Sequence, residues 1–115
     1  MAVITIWHNP RCSKSREALA LLEAHGKQHS VRRYLDDVPT VEEIGSTRDT
    51  LCCLAIEMIR KGESLFRELE LSKDDDDEAL IAAMASHPKL IERPIVFVGS
   101  RAVIGRPPQR VLDIL

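Results

Sequence analysis

A chain of 115 residues with 44% hydrophobic and 30% charged side chains has room for one modest core. Its formal net charge of −2 leaves no electrostatic footprint of a nucleic-acid binder, and no apolar stretch approaches the roughly 18–20 residues a membrane span needs. Aromatic residues amount to only 3%, so the core falls to Leu, Ile, Val and Ala.

The opening stretch, MAVITIWHNP, has neither a basic leader nor a long apolar region and does not read as a signal peptide. Val3-Ile4-Thr5-Ile6-Trp7 is a β-branched run that predicts a strand. After the turn at Asn9-Pro10 the pattern becomes helical from Ser15, with Ala18, Leu19, Leu21, Leu22 and Ala24 on one face and Gly26 as the stop. Residues 28–35 predict a second strand, which completes a βαβ unit with parallel strands. Thr40 and Glu43 then form a capping box that opens a second helical region. Its spacing runs through Ile44, Leu51, Leu54, Ile56, Met58 and Ile59 to Gly62, broken into two helices. In the following SLFRELEL piece, Leu65, Phe66 and Leu69 are expected in the core.

The acidic run from Asp74 to Glu78 opposes the partial positive charge of the next helix's N-terminus and lacks the spacing of a calcium loop. That helix ends at Pro88. Residues 94–98 and 101–104 predict an antiparallel hairpin across Gly99-Ser100, and Pro107-Pro108 opens a terminal helix with Val111, Leu112, Ile114 and Leu115 inward. This order predicts an α/β, thioredoxin-like fold: a mixed sheet with helices on both faces and a helical insert, as a single domain over residues 1–115.

Three cysteines, Cys12, Cys52 and Cys53, make an odd count with two of them adjacent, which points to free thiols in a reducing compartment and a cytoplasmic protein. Cys12 lies where strand turns into helix. The first N–H groups of a helix have no intrahelical partner, so a thiolate there accepts their hydrogen bonds and feels the helix dipole. Arg11, Lys14 and Arg16 add positive potential, and His8 either pairs with the thiolate or organises the loop. Cys12 is therefore the expected nucleophile. Cys52 and Cys53, within an apolar helical stretch, are expected to be structural, with a resolving role for one of them as the other reading.

The loop also excludes several chemistries. Cys12-Ser13-Lys14-Ser15 is C-x-x-S, so no dithiol cycle runs within it, and a C-x5-R phosphatase loop would need arginine where Ala18 stands. There is no zinc-ligand spacing and no Gly-rich phosphate loop. A single nucleophilic thiol needs a substrate-binding partner, and guanidinium groups match tetrahedral oxyanions. Arg93 and Arg106 each precede a proline, which restricts their backbone to extended conformations, and Arg60 ends an otherwise apolar helical segment. These three are the expected substrate-binding residues.

HNPRCSKSR near the start, MIRKGE in the middle, and ERPIVF with IGRPPQRVLDIL at the end resemble the glutaredoxin-coupled arsenate reductase family, in particular its short members, over essentially the whole chain. The resemblance implies a thioredoxin-like fold with a helical insert and a Cys12 that attacks arsenate. His8 is implied to keep that thiol ionised, and Arg60, Arg93 and Arg106 to hold the oxyanion and the thiol adduct. Glutathione is the implied co-substrate, with no bound cofactor and no metal. Glutaredoxin is the implied partner that resolves the mixed disulfide before arsenite leaves. Pro94 is the implied cis-proline. The segment GSTRDTLCCLAIEM is the least family-like, and its register decides where Arg60 points. Two other readings share parts of this pattern: a glutathione-dependent thiol oxidoreductase using the same nucleophile, and an Spx-like regulator that binds RNA polymerase, whose C-x-x-C switch is here interrupted by Ser15.

Overall fold

The computed structural model describes residues 3–26 and 28–115. Residues 1 and 2, the start of the stretch read above as lacking a leader, lie outside them. Two compact units are formed, Met1–Asp37 with Arg93–Leu115, and Val38–Glu92.

The first unit is built on a four-stranded sheet of order β2-β1-β3-β4. Strand β1 (Ile4–Trp7) pairs parallel with β2 (Ser30–Arg32) and antiparallel with β3 (Ile95–Val98), and β3 pairs antiparallel with β4 (Arg101–Ile104). The register places Ile6 opposite Val96. Because side chains alternate along a strand, Ile4, Ile6 and Val96 share one face. Helix α1 (Ser13–Ala24) supplies Ala18 and Leu22 to that face, and a 3₁₀ helix (Pro108–Asp113) supplies Val111; together they form a fully dried cluster. On the other face Trp7 stands opposite Ile95, its ring 5.2 Å from that of Phe97, and the Arg32 guanidinium lies 5.6 Å above the indole.

The mixed sheet and its connections are the thioredoxin-like α/β arrangement expected from the element order. Some boundaries differ. The second strand is three residues long rather than spanning 28–35, because the N–H groups of Asp36 and Asp37 both donate to the Arg33 carbonyl and turn the chain away. The terminal helix is 3₁₀ rather than α. With residues three apart eclipsed in that geometry, Pro108 and Val111 are buried and Leu112 is exposed.

The second unit is helical. Helix α2 (Val41–Leu51) starts at the expected capping box: the Glu43 N–H donates to Thr40 Oγ1 and the Thr40 N–H donates to Glu43 Oε1, each at 3.1 Å. It stops at Cys52, whose φ of 54° is left-handed, and the chain resumes as a 3₁₀ turn at Ala55–Met58. Leu54, expected on the apolar face, falls in this break and is exposed. Helix α3 (Ser64–Glu68) is a single short piece. Its Leu65 and Phe66 are only partly covered and Leu69 is exposed, so the core expected there is not formed by this segment. Helix α4 (Asp77–Ser86) has Asp77 and Glu78 in its first turn and buries Leu80, Ile81 and Met84. Asp77 does more than face the helix dipole: its Oδ2 accepts from Arg48 at 3.0 Å and from the Ala55 N–H at 3.3 Å, tying α2 and the 3₁₀ turn to α4.

Candidate active site

Cys12 is the N-cap residue of α1, with extended backbone (φ −98°, ψ 124°). The loop before it is held by short bonds. The Cys12 N–H donates to the Asn9 carbonyl, the Arg11 N–H to Asn9 Oδ1, and the Arg16 guanidinium folds back to the Pro10 carbonyl at 2.9 Å. The sulfur is half-buried and makes no conventional cap bond as a thiol, yet the first amides of the helix face it. Burial pushes this thiol up. The Ser15 N–H, the charge of Arg93, the Lys14 N–H and a hydrogen bond from the Arg93 side chain outweigh it and hold the group below its ordinary value.

Arg93 comes to Cys12 from the far end of the chain, just ahead of β3. The Arg93–Pro94 and Arg106–Pro107 bonds are both cis. Arg106 is tied to the same place, since its Nη1 donates to the Arg93 carbonyl at 3.2 Å. Gly105 completes the arrangement. Its N–H donates to the Pro94 carbonyl at 2.8 Å, and a Cβ there would lie 2.9 Å from Pro94 Cγ and 3.3 Å from Val111 Cγ1. The proline ring occupies the room that any side chain at 105 would need.

His8 is buried and its Nδ1 is hydrogen-bonded to Ser15 Oγ at 2.6 Å; the same oxygen accepts from the Asn9 N–H at 3.0 Å. Burial, followed by the positive charges of Arg33 and Arg16, lowers the imidazole pKa. A neutral ring bonded to Ser15 fits the organising role left open above rather than that of a cationic partner for the thiolate. Sequence reasoning gave Ser15 no role in the site, reading it as the start of the helical pattern and as the place of an absent second cysteine. The residue is fully buried and its hydroxyl is shared between His8 and Asn9, so no second thiol belongs at that point of the loop. A small hydroxyl three residues beyond an N-cap is the signal that marked it.

Arg60 lies in the second unit, past the helical segment it was expected to end. Its Nη1 pairs with Glu63 at 3.1 Å and donates to the Lys89 carbonyl at 3.4 Å, and its backbone N–H donates to the Leu90 carbonyl. Cys52 and Cys53 are not inside an apolar helix. Cys52 is exposed at the end of α2 and Cys53 is half-buried beyond it. Among the described residues, no group of three or more His, Cys, Asp or Glu side chains is gathered to hold a metal ion, and no helix is long and apolar enough to cross a membrane.

The family model for the ArsC family matches residues 7–114. The chain belongs to the ArsC family. It is 46% identical to the arsenate reductase of Haemophilus influenzae and 43% identical to that of Neisseria meningitidis, in both cases covering all of this chain and all of the relative. The solved structure of the arsenate reductase from Vibrio cholerae superposes with a TM-score of 0.95 at 49% identity, covering 99% of this chain and 98% of that one.

Proposed function

We propose that the protein is an arsenate reductase whose nucleophile is Cys12, with glutathione as co-substrate and glutaredoxin as partner, in the cytoplasm. The observation that carries this reading is a half-buried thiol at the N-terminus of α1, held towards its anion by the Ser15 and Lys14 amides and by Arg93. The full-length similarity to proteins named arsenate reductases supplies the substrate.

In this reading the Cys12 thiolate attacks arsenic(V), an arsenate oxygen leaves as water, and a sulfur–arsenic bond forms. Arg93 neutralises charge on the oxyanion and on the adduct, and Arg106 sets the position of Arg93 through its carbonyl while offering a second guanidinium to the substrate. His8 acts on Cys12 by fixing Ser15, whose amide faces the sulfur. Two electrons come from two external thiols, those of glutathione and glutaredoxin, which end joined as a disulfide. The net change converts arsenate and two thiols into arsenite, a disulfide and water. A loop with one thiol suits this division, because the resolving sulfur arrives on a partner.

The test is arsenite formation with glutathione and glutaredoxin supplied, comparing the wild type with Cys12→Ser. The wild type turns over and the variant falls to background, a loss of at least roughly 10³-fold for removal of a nucleophile. Equal rates in the two chains, or none in either, overturn the proposal. The same assay run on glutathione mixed disulfides in place of arsenate separates this activity from a general thiol oxidoreductase.

A further inference from the structure

The second unit carries a pair of thiols that the chemistry at Cys12 leaves unused. Cys52 ends α2 in the left-handed conformation (φ 54°, ψ 44°) with its side chain exposed, and Cys53 follows it half-buried; both are free. The turn is closed by the Cys53 N–H donating to the Arg48 carbonyl at 3.4 Å. Cis bonds occur only before Pro94 and Pro107 among the described residues, so the peptide joining the cysteines is trans. Their Cα atoms are thus about 3.8 Å apart. A disulfide wants about 4.4–6.8 Å, which disfavours direct closure of the pair and leaves two free thiols on consecutive residues. Placing one atom between the sulfurs lengthens the ring and relieves that mismatch.

The surroundings select what that atom belongs to. The groups that act on Cys53 are the carboxylates of Glu57 and Asp77, the neighbouring thiol of Cys52 and the Arg48 guanidinium, and Arg48 is already bonded to Asp49 and Asp77. Burial and the two carboxylates push the Cys53 thiol up, so it stays protonated. Such a place repels an arsenate or phosphate anion but not an uncharged acid of a soft, thiol-seeking element.

We propose that Cys52 and Cys53 together chelate trivalent arsenic, taken up as the uncharged acid As(OH)₃. The ligand identity rests on the proposed arsenate reduction, of which trivalent arsenic is the product. Two arsenic–oxygen bonds break and two arsenic–sulfur bonds form. Each thiol proton leaves with a hydroxide as water, and the arsenic keeps its third hydroxyl and its oxidation state. No outside oxidant or reductant is required.

The test uses the full chain carrying Cys12→Ser, with arsenite alone as the probe, and reads bound arsenic by mass after desalting alongside the number of titratable thiols. One arsenic is retained per chain and both thiols are lost; adding either Cys52→Ser or Cys53→Ser removes the retention. No retention, retention indifferent to these serines, or arsenic that links two chains into a dimer overturns the chelate. Circular dichroism of each variant confirms that an intact fold was probed, and the exposed Cys52→Ser carries the decision should Cys53→Ser unfold. The chain with both serines and an intact Cys12 retains arsenate reduction. Failure of turnover in the wild type, with arsenic still held by the Cys12→Ser chain, strikes the assignment of Cys12 and leaves this site standing.

Discussion

Cys12 and Cys53 are both half-buried free thiols beside the end of a helix, and they are pushed in opposite directions. Cys12 stands at the N-terminus of α1, where amides point at the sulfur and Arg93 lies alongside; it is drawn below its ordinary value although burial opposes this. Cys53 stands past the C-terminus of α2 with Glu57 and Asp77 for neighbours, and there burial and negative charge act together to raise it. Burial alone penalises both thiolates. The sign of the outcome is decided by what the fold sets against each sulfur: helix amides and Arg93 at Cys12, the carboxylates of Glu57 and Asp77 at Cys53.

The strongest way to break this contrast is to remove the charge that separates the two sites. Arg93→Ala deletes a charge-assisted hydrogen bond worth about 1.5–3 kcal/mol. Arsenate turnover at neutral pH should fall roughly 10–100-fold on that energy scale, with Arg93→Lys recovering only part of it because a point charge replaces a planar fork. Turnover unchanged in Arg93→Ala removes Arg93 from the explanation.

A smaller effect sharpens the role of the first helical turn. Ser15→Ala strands the His8 ring and the Asn9 N–H inside the protein, which should lower stability by about 1–3 kcal/mol in a urea titration. The corresponding loss in Ser13→Ala, at an exposed position of the same turn, is expected within about 0.5 kcal/mol.

The smallest effect is on pH. The folded-state pKa of His8 lies below the usual value near 6.5, so on acidification the unfolded chain takes up this proton first. The contribution of His8 to stability is therefore complete above about pH 6.5 and declines as pH drops from there towards the folded pKa. Comparing urea midpoints at several pH values between the wild type and His8→Gln measures it. A wild-type midpoint that rises on acidification relative to the variant contradicts a neutral, buried ring.

The parts of this arrangement that were legible in the sequence are those set by neighbours along the chain. The Thr40–Glu43 box, the β3–β4 hairpin and the placing of Cys12 at a strand-to-helix junction each depend on a few consecutive residues and their periodicity. What was illegible joins distant segments. Nothing local says that Arg106 reaches the Arg93 carbonyl, that Pro94 fills the space over Gly105, or that Asp77 within the acidic run bridges Arg48 and Ala55. The apolar spacing that ran past Leu51 hid the end of α2, because a left-handed non-glycine residue such as Cys52 leaves no mark in hydrophobic periodicity. The helical setting read for Arg60 went with it, since the 3₁₀ turn ends at Met58.

The most direct measurement is site-resolved alkylation of Cys12 and Cys53 against pH in one sample, with each modified peptide followed by mass spectrometry. Cys12 should reach half its limiting rate below the ordinary thiol value of about 8.5 and Cys53 above it, with Arg93→Ala moving the Cys12 midpoint up while leaving that of Cys53 in place. A Cys12 midpoint at or above that of Cys53 would contradict the claim that helix amides and Arg93 hold this sulfur as an anion.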